Sequence, residues 1–171
     1  LTSLVGSEMC IRDSIKDDPS FLSNIIEPLD QFGFVSVIIF VLIGTLLTVL
    51  VQSSSAAMAI TLSLCGGLNG LPLELAAAII LGENIGTTIT ANIAATIGNV
   101  HAKRAARAHL LFNIIGVIWM LILFYPFLNF VNYLISETFF SSLIINGDNE
   151  SITRWSLAVF HLFFNIINTF L

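Results

Sequence analysis

Charge is scarce in this sequence. Of its 171 residues only 10% are charged and 56% are hydrophobic, whereas a soluble domain carries about 25% charged residues. So small a charged fraction excludes an ordinary soluble domain and indicates an integral membrane protein. Only six residues are Lys or Arg, and they form no basic face. We therefore expect no nucleic acid among the partners.

Cysteine is also rare, and the serines lack the sequence context of a catalytic nucleophile. The two cysteines, Cys10 and Cys65, are too far apart in sequence to indicate a metal site or a redox pair. A hydrolase with Ser54 as nucleophile and His109 as base would need a base within reach and an oxyanion site. No Gly-x-Ser-x-Gly turn surrounds these serines, so we predict that the chain is not an enzyme.

The chain divides into three segments. We interpret residues 1–14 as a non-native leader, because they resemble a translated sequencing adapter and lack the basic start and apolar core of a signal peptide. Residues 15–31 are predicted to form a polar lead-in outside the membrane. Residues 32–171 are predicted to be transmembrane. We expect this sequence to be truncated at both ends.

A run of four polar residues, Gln52-Ser53-Ser54-Ser55, interrupts a long apolar stretch. Residues 34–51 before it carry no charge, and residues 56–64 after it are again mostly apolar. Polar groups at membrane depth cost several kcal/mol each unless a partner, water or ligand satisfies them. We therefore predict a break here, followed by a short half-helix from Ser53 to Leu64 that begins with a serine cap.

A second polar insert, Glu83 to Thr88, is also flanked by apolar runs. It predicts another break, between a half-helix over residues 73–81 and its continuation over 89–97. Two such breaks are typical of discontinuous helices that build a transport site near the membrane midplane. One of the two interrupted segments is expected to be a re-entrant hairpin, surrounded by protein or a water-filled cavity.

The remaining segments predict two more spans and their orientation. Residues 108–127 and 154–171 are long and apolar enough to span. The basic cluster at residues 101–107 indicates a cytoplasmic loop, and we read its charges as topology determinants in preference to a substrate funnel. The acidic stretch 128–153 is predicted to be an extracytoplasmic loop.

A short repeat occurs in these two spans. Aligning His109 with His161 gives the shared pattern Ala-x-x-His-Leu-x-Phe-Asn, which ends at Asn113 and Asn165. The two copies are predicted to play similar roles. Contacts between helices are favoured over ligand binding for both histidines.

Together, the Gln-Ser-Ser-Ser run, the sequence Gly82-Glu83-Asn84-Ile85-Gly86-Thr87-Thr88 and the repeated His-x-x-Phe-Asn element resemble the sodium/phosphate cotransporter family, type II, bacterial branch. The resemblance covers about residues 33–171. It implies an all-α, polytopic fold of transmembrane helices with broken or re-entrant half-helices, built from two inverted repeats. This chain is similar to the second repeat. The first would come from missing sequence or from a second copy. The bacterial plasma (inner) membrane is the implied location.

The resemblance also implies the site and its ligands. Inorganic phosphate and sodium are the expected partners with the lipid bilayer, and sodium acts as coupling ion without any other cofactor. The residues expected to bind substrate are Gln52, Ser53, Ser54, Ser55, Asn84, Thr87 and Thr88. Sodium candidates are Gln52, Ser53, Ser55, Asn84 and Thr87. No Lys or Arg lies within the predicted membrane segments around the two inserts, so co-transported cations would neutralise the phosphate.

Several alternatives stay open at this point. Serines in membrane helices often donate to a carbonyl one turn back instead of to a ligand. Glu83 is an intramembrane acid, and its role could be either in a cation site or structural. His109 and Asn113 are further uncertain candidates. The transported anion could instead be sulfate or a dicarboxylate, and a non-transporting regulator of phosphate uptake is a further alternative.

Overall fold

Six α-helices make up the part of the chain that the computed structural model describes, namely residues 32–65, 70–137 and 149–170. They are α1 (Phe34–Val51), α2 (Ser54–Leu64), α3 (Leu73–Ala95), α4 (Val100–Ile122), α5 (Phe124–Glu137) and α6 (Asn149–Phe170). Within these residues there is no strand, which confirms the all-α class. The predicted leader (1–14) and lead-in (15–31) lie outside the described residues.

Within the described part of the chain, two helices are long and apolar enough to cross a membrane. Over an 18-residue window, α1 has a mean hydropathy of 2.9 and α4 has a mean hydropathy of 1.7. α2 is shorter, with 11 residues, which is about 16 Å of helix against a hydrocarbon core of about 30 Å. The predicted short helix after Gln52 is therefore confirmed.

α1 and α3 pack so closely that their backbones touch. A side chain at Gly82 of α3 would overlap the carbonyl oxygen of Val41, and one at Gly44 of α1 would overlap that of Ile79. Where the helices touch, the hydroxyl of Thr45 donates to the carbonyl of Gly82 at 3.1 Å. Small residues allow such close approach between membrane helices, where packing and hydrogen bonds replace the hydrophobic effect as the driving force.

α3 is the central helix of the described fold. Every residue from Leu75 to Glu83 is buried, so this stretch has no face open to the surroundings. The helices that contact α3 are α1, α2, α4 and α6. Its run of small side chains, Ala76 to Ala78, permits this enclosure because neighbouring helices can approach from every side.

The predicted break at Glu83–Thr88 is wrong, because α3 continues without interruption from Leu73 to Ala95. Three polar side chains of the insert, those of Asn84, Thr87 and Thr88, donate to carbonyls of their own helix. Asn84 donates to the carbonyl of Ile80 at 2.8 Å, and Thr87 donates to that of Glu83 at 2.8 Å. This back-bonding to the preceding turn removes the cost that the prediction assigned to polar groups at this depth.

The predicted span 108–127 and the predicted loop 128–153 also need correction. α4 ends at Ile122, Leu123 makes a turn, and α5 then covers residues up to Glu137. Pro126 explains the boundary, since a proline in a helix interior lacks the N–H and clashes with the carbonyl four residues earlier. As the third residue of α5 it needs no intrahelical donor. Residues 138–148 of the predicted loop lie outside the described residues.

Aromatic side chains join α6 to α4 and α5. Phe160 and Phe164 of α6 and Phe124 of α5 are fully buried. The ring of Phe164 stacks on Trp119 of α4 at 6.1 Å between centroids, and that of Phe160 meets Phe124 edge-on at 6.3 Å. Such pairs contribute about 0.5–1.5 kcal/mol beyond their area, so they fix α6 against the rest of the bundle.

Candidate functional site

The helical structure is interrupted between α1 and α2 at Gln52, as predicted. Gln52 ends α1 in the left-handed conformation with φ 56°, and its backbone N–H donates to the carbonyl of Thr48 at 2.8 Å. A residue with a side chain pays about 1–2 kcal/mol for this conformation, which glycine adopts freely. Backbone strain of this kind clusters at functional sites, so Gln52 supports placing the site at this break.

The three serines lie at the start of α2. Ser53 is the N-cap, and its hydroxyl oxygen accepts the backbone N–H of Ala56 at 3.3 Å, so the predicted serine cap is confirmed. Its Oγ lies 3.2 Å from the Oγ of Ser55. The side chains of Ser54 and Ser55 are exposed.

The first turn of α2 contains backbone N–H donors without an acceptor in the part of the chain that the structure describes. Among the described residues, no acceptor meets the backbone N–H of Ser54 or Ser55. The first N–H groups of any helix lack partners in the helix itself and carry the positive end of its dipole. Together with the exposed serine hydroxyls, they form an arrangement suited to an anion.

Glu83 is buried, with 4% of its surface exposed. Its Oε1 accepts a hydrogen bond of 2.7 Å from the hydroxyl of Thr61, which is itself fully buried on α2. This bond ties α2 to α3. No cationic side chain is paired with Glu83 among the described residues. A carboxyl group in such surroundings either carries a proton or accompanies a bound cation.

The other candidate residues on α3 differ in how far their side chains are exposed. Asn84 and Thr87 are half-buried, whereas Thr88 is fully buried and donates its hydroxyl hydrogen to the carbonyl of Ile85 at 2.7 Å. Asn84 and Thr87 each donate one hydrogen to a carbonyl of their own helix, which leaves the amide oxygen and second amide hydrogen of Asn84 and the hydroxyl lone pairs of Thr87 for a ligand. The oxygen atoms among these groups can coordinate a cation.

The packing of α1 on α3 brings the two polar segments close together. A side chain at Gly86 would come within 2.7 Å of the Cβ of Thr48, so these residues touch. The carbonyl of Thr48 in turn accepts the N–H of Gln52, which places the break one helical turn from Gly86. No hydrogen bond joins the serines to Asn84, Thr87 or Thr88 among the described residues.

The sequence repeat has a structural counterpart. In α4 the side-chain amide of Asn113 donates to the carbonyl of His109 at 3.1 Å, and in α6 that of Asn165 donates to the carbonyl of His161 at 2.9 Å. Asn113 is buried, while the side chain of His109 is exposed. None of the described hydrogen bonds of His109 or Asn113 reaches the two polar segments.

Thr61 and Asn168 are among the buried polar residues that sequence reasoning missed. Thr61 belongs to a buried stripe at four-residue spacing with Ala57 and Cys65, which marks the inner face of α2. Asn168 accepts the indole N–H of Trp119 at 3.3 Å and packs on Gly116. Extending the alignment of the two repeat copies pairs Gly116 with Asn168, so this contact joins equivalent positions.

Comparison with known proteins gives a consistent result. The family model described as Na+/Pi-cotransporter matches residues 24–143. The uncharacterized protein YqeW of Bacillus subtilis is 35% identical over 131 residues, which are 76% of this chain and 37% of that protein. The mouse sodium-dependent phosphate transport protein 2C is 38% identical over 96 residues, which are 53% of this chain and 16% of that protein. No solved structure is significantly similar.

Proposed function

The chain belongs to the Na+/Pi-cotransporter family, and from this we propose that it takes part in sodium-coupled transport of inorganic phosphate across a bacterial plasma membrane. The family is one of transporters, not of enzymes. The chain covers little more than a third of its Bacillus relative, so we assign the complete transport cycle to a larger assembly. Within it, this chain supplies one of two inverted repeats, and further sequence or a second copy supplies the other.

The observation that carries the proposal is the start of α2. The N–H groups of Ser54 and Ser55, their exposed hydroxyls and the positive end of the helix dipole all lie at this one helix end, directly after the apolar helix α1. Phosphate oxygens need several donors and no negative neighbour, and a helix N-terminus provides both. Gln52, Ser53, Ser54 and Ser55 are therefore the proposed phosphate-binding segment.

The proposed sodium ligands are oxygen atoms near the same break. Sodium is a hard cation that prefers hydroxyl, amide and carbonyl oxygens, and unwound backbone near half-helices commonly supplies them. Gln52, Ser53 and Ser55 offer such oxygens at the break, and Asn84 and Thr87 offer them on α3. Of the earlier phosphate candidates, Thr88 fits least because its hydroxyl is buried and already donates to Ile85.

Coupling between sodium binding and phosphate binding follows from the opposite charges of the two ions. No Lys or Arg occurs in α1, α2 or α3, so a phosphate bound at α2 meets no fixed positive side chain there. Sodium ions in adjacent sites would lower the cost of burying the anion, and the anion would lower the cost of burying sodium. Each ligand would thus raise the affinity for the other, as linkage requires.

The experiment that tests the proposal is sodium titration of phosphate binding by calorimetry, followed by uptake of labelled phosphate into proteoliposomes. Both are performed on this chain and on a longer protein that contains it. We expect sodium-dependent binding that is lost when Ser53, Ser54 and Ser55 are replaced by alanine. Ser63→Ala is the matched control, since its exposed hydroxyl donates only to Ala59 of its own helix. Its binding should be unchanged.

The outcomes separate the alternatives. Binding by the longer protein alone would show that this chain forms half of a site, whereas binding by this chain would show that one repeat suffices, alone or as a dimer. Competition by excess sulfate or a dicarboxylate would point to another anion. Binding and uptake that persist in the triple alanine variant would refute the proposed site, and binding without uptake would favour a regulator.

A further inference from the structure

A cavity of about 430 Å³ lies between the C-terminal part of α3 and the N-terminal half of α4. Its polar lining comes from Asn92 and Thr96 of α3 and from Lys103 and Arg107 of α4, and Ile93 and Leu110 are among its apolar residues. This cavity is separate from the break at Gln52. Neither cation belongs to the proposed transport site.

Lys103 and Arg107 bring two positive charges to the lining of this cavity. They are four residues apart on α4, which places them on the same face one turn apart. Both side chains are exposed, and neither has an ion pair within residues 32–65, 70–137 and 149–170. The acidic residues of α3, Glu74 and Glu83, precede Asn92 by 18 and nine residues, or about 27 and 13 Å of helix.

The position of Lys103 is electrostatically unfavourable for the helix that carries it. It lies in the first turn of α4, where the helix dipole is positive and a cation costs a few tenths of a kcal/mol. The negative C-terminal end of α3, near Thr96, offsets part of this repulsion. An anion bound between Lys103 and Arg107 would offset it more directly, because it would face both charges.

A hydrogen bond joins the two helices that form the walls of the cavity. The side-chain amide of Asn92 donates to the carbonyl of Thr88 on its own helix at 2.9 Å and to the carbonyl of Ala106 on α4 at 2.7 Å. Ala106 is buried between the two helices. Because this bond fixes the spacing of α3 and α4, the cavity is preformed, as ligand sites usually are.

The apolar part of the lining continues onto an exposed apolar surface. Ile93 is 59% exposed, and on α4 the side chains of Leu111 and Ile115 are 59% and 56% exposed. A ligand here would meet two cations at one end and hydrocarbon at the other. Basic pockets between membrane helices, at the side where Lys and Arg accumulate, bind the phosphate of lipid headgroups in this way.

We propose that this cavity binds a phosphate group through Lys103 and Arg107, with its apolar lining suited to the headgroup of an anionic phospholipid. Arg supplies paired N–H donors that match phosphate oxygens, and Lys adds a point charge. Free inorganic phosphate shares this chemistry and is the other source of the group. The proposal is independent of sodium-coupled transport, because it uses none of the residues assigned to that site.

The test compares Arg107→Gln with Arg104→Gln in the purified chain. Both changes remove one positive charge from the exposed surface of α4, and only Arg107 lines the cavity. Binding of phosphatidylglycerol is measured by native mass spectrometry, with phosphatidylcholine as reference, in buffer without sodium. We expect Arg107→Gln to weaken phosphatidylglycerol binding on the order of tenfold, as for one lost charge-assisted bond, and Arg104→Gln by less than about twofold.

A second arm separates the two sources of phosphate. Inorganic phosphate is titrated by calorimetry into the chain in lipid-free neutral detergent, again with both variants. Binding there that depends on Arg107 and not on Arg104 would identify the free anion. Equal effects of both variants in both arms would mean that only general surface charge acts, and would overturn the proposal, as would no effect of either.

A further variant distinguishes failure of this proposal from failure of the transport proposal. The same binding is measured in a variant with Ser53→Ala and Ser55→Ala, which leaves the cavity unchanged. We expect phosphatidylglycerol binding to be retained there. Loss of binding in that variant would show that the cavity is not an independent site.

Discussion

Replacing Thr61 by valine tests whether the buried bond to Glu83 holds α2 against α3. The substitution exchanges a hydroxyl for a methyl group and removes the only described hydrogen-bond donor to Oε1 of Glu83. The carboxyl group stays buried, because α3 is enclosed at this level. The complementary change, Glu83→Met, removes the acceptor and leaves the Thr61 hydroxyl without one. The double variant has neither group.

The size of the coupling reports the charge of Glu83. Hydrogen bonds between side chains of membrane helices contribute about 0.6 kcal/mol on average and at most about 1.7, which is the range expected if the carboxyl is protonated. Leaving a charged acceptor buried and unsatisfied costs up to about 3 kcal/mol or more. We expect Thr61→Val to cost about 1 kcal/mol, and the double variant to be more stable than the sum of the single effects predicts.

The measurement is a double-mutant cycle by detergent unfolding, followed through tryptophan fluorescence. Ser63→Ala serves as control, because it removes an exposed hydroxyl two residues away that bonds only within α2. It should cost less than about 0.5 kcal/mol. A coupling within about 0.3 kcal/mol of zero, the level at which independent sites add, would refute the role given to this bond.

Two further predictions concern packing and capping. Gly82→Ala should destabilise the fold by about 1–3 kcal/mol, because its Cβ would overlap the Val41 carbonyl. Gly98→Ala, which meets Ala102 at 3.0 Å, should cost less in the same unfolding assay, and equal losses would contradict close packing of α1 on α3. Ser53→Ala should cost about 1 kcal/mol by removing the cap of α2, and Ser53→Asn should restore most of it. A stability unchanged in Ser53→Ala would contradict the cap.

The break at Gln52 was predictable because four consecutive polar residues there interrupt a long apolar stretch. Gln52 and the serines follow one another, and a serine at the first position after a break can cap the next helix. The structure uses Ser53 in this way. The apolar lengths on either side then fixed the extents of α1 and α2 within a few residues.

The continuity of α3 was not predictable from polarity alone. The insert Glu83–Thr88 is as polar as Gln52–Ser55, yet each side chain of Asn84, Thr87 and Thr88 finds a carbonyl three or four residues earlier. Such back-bonding is available only inside a continuing helix, so the same polarity fits either outcome. The contact of Glu83 with Thr61 is likewise tertiary, and no spacing in the sequence specifies it.

The glycines of the second insert explain why packing and site geometry depend on each other here. Read as a sequence, Gly82-Glu83-Asn84-Ile85-Gly86 suggests ligand-binding residues. In the structure, Gly82 and Gly86 admit the backbone of α1, and Gly86 touches Thr48. The Thr48 carbonyl accepts the N–H of Gln52, so a side chain at Gly86 would press on the residue to which the break is bonded. These glycines therefore set how closely α1 approaches α3 next to the break.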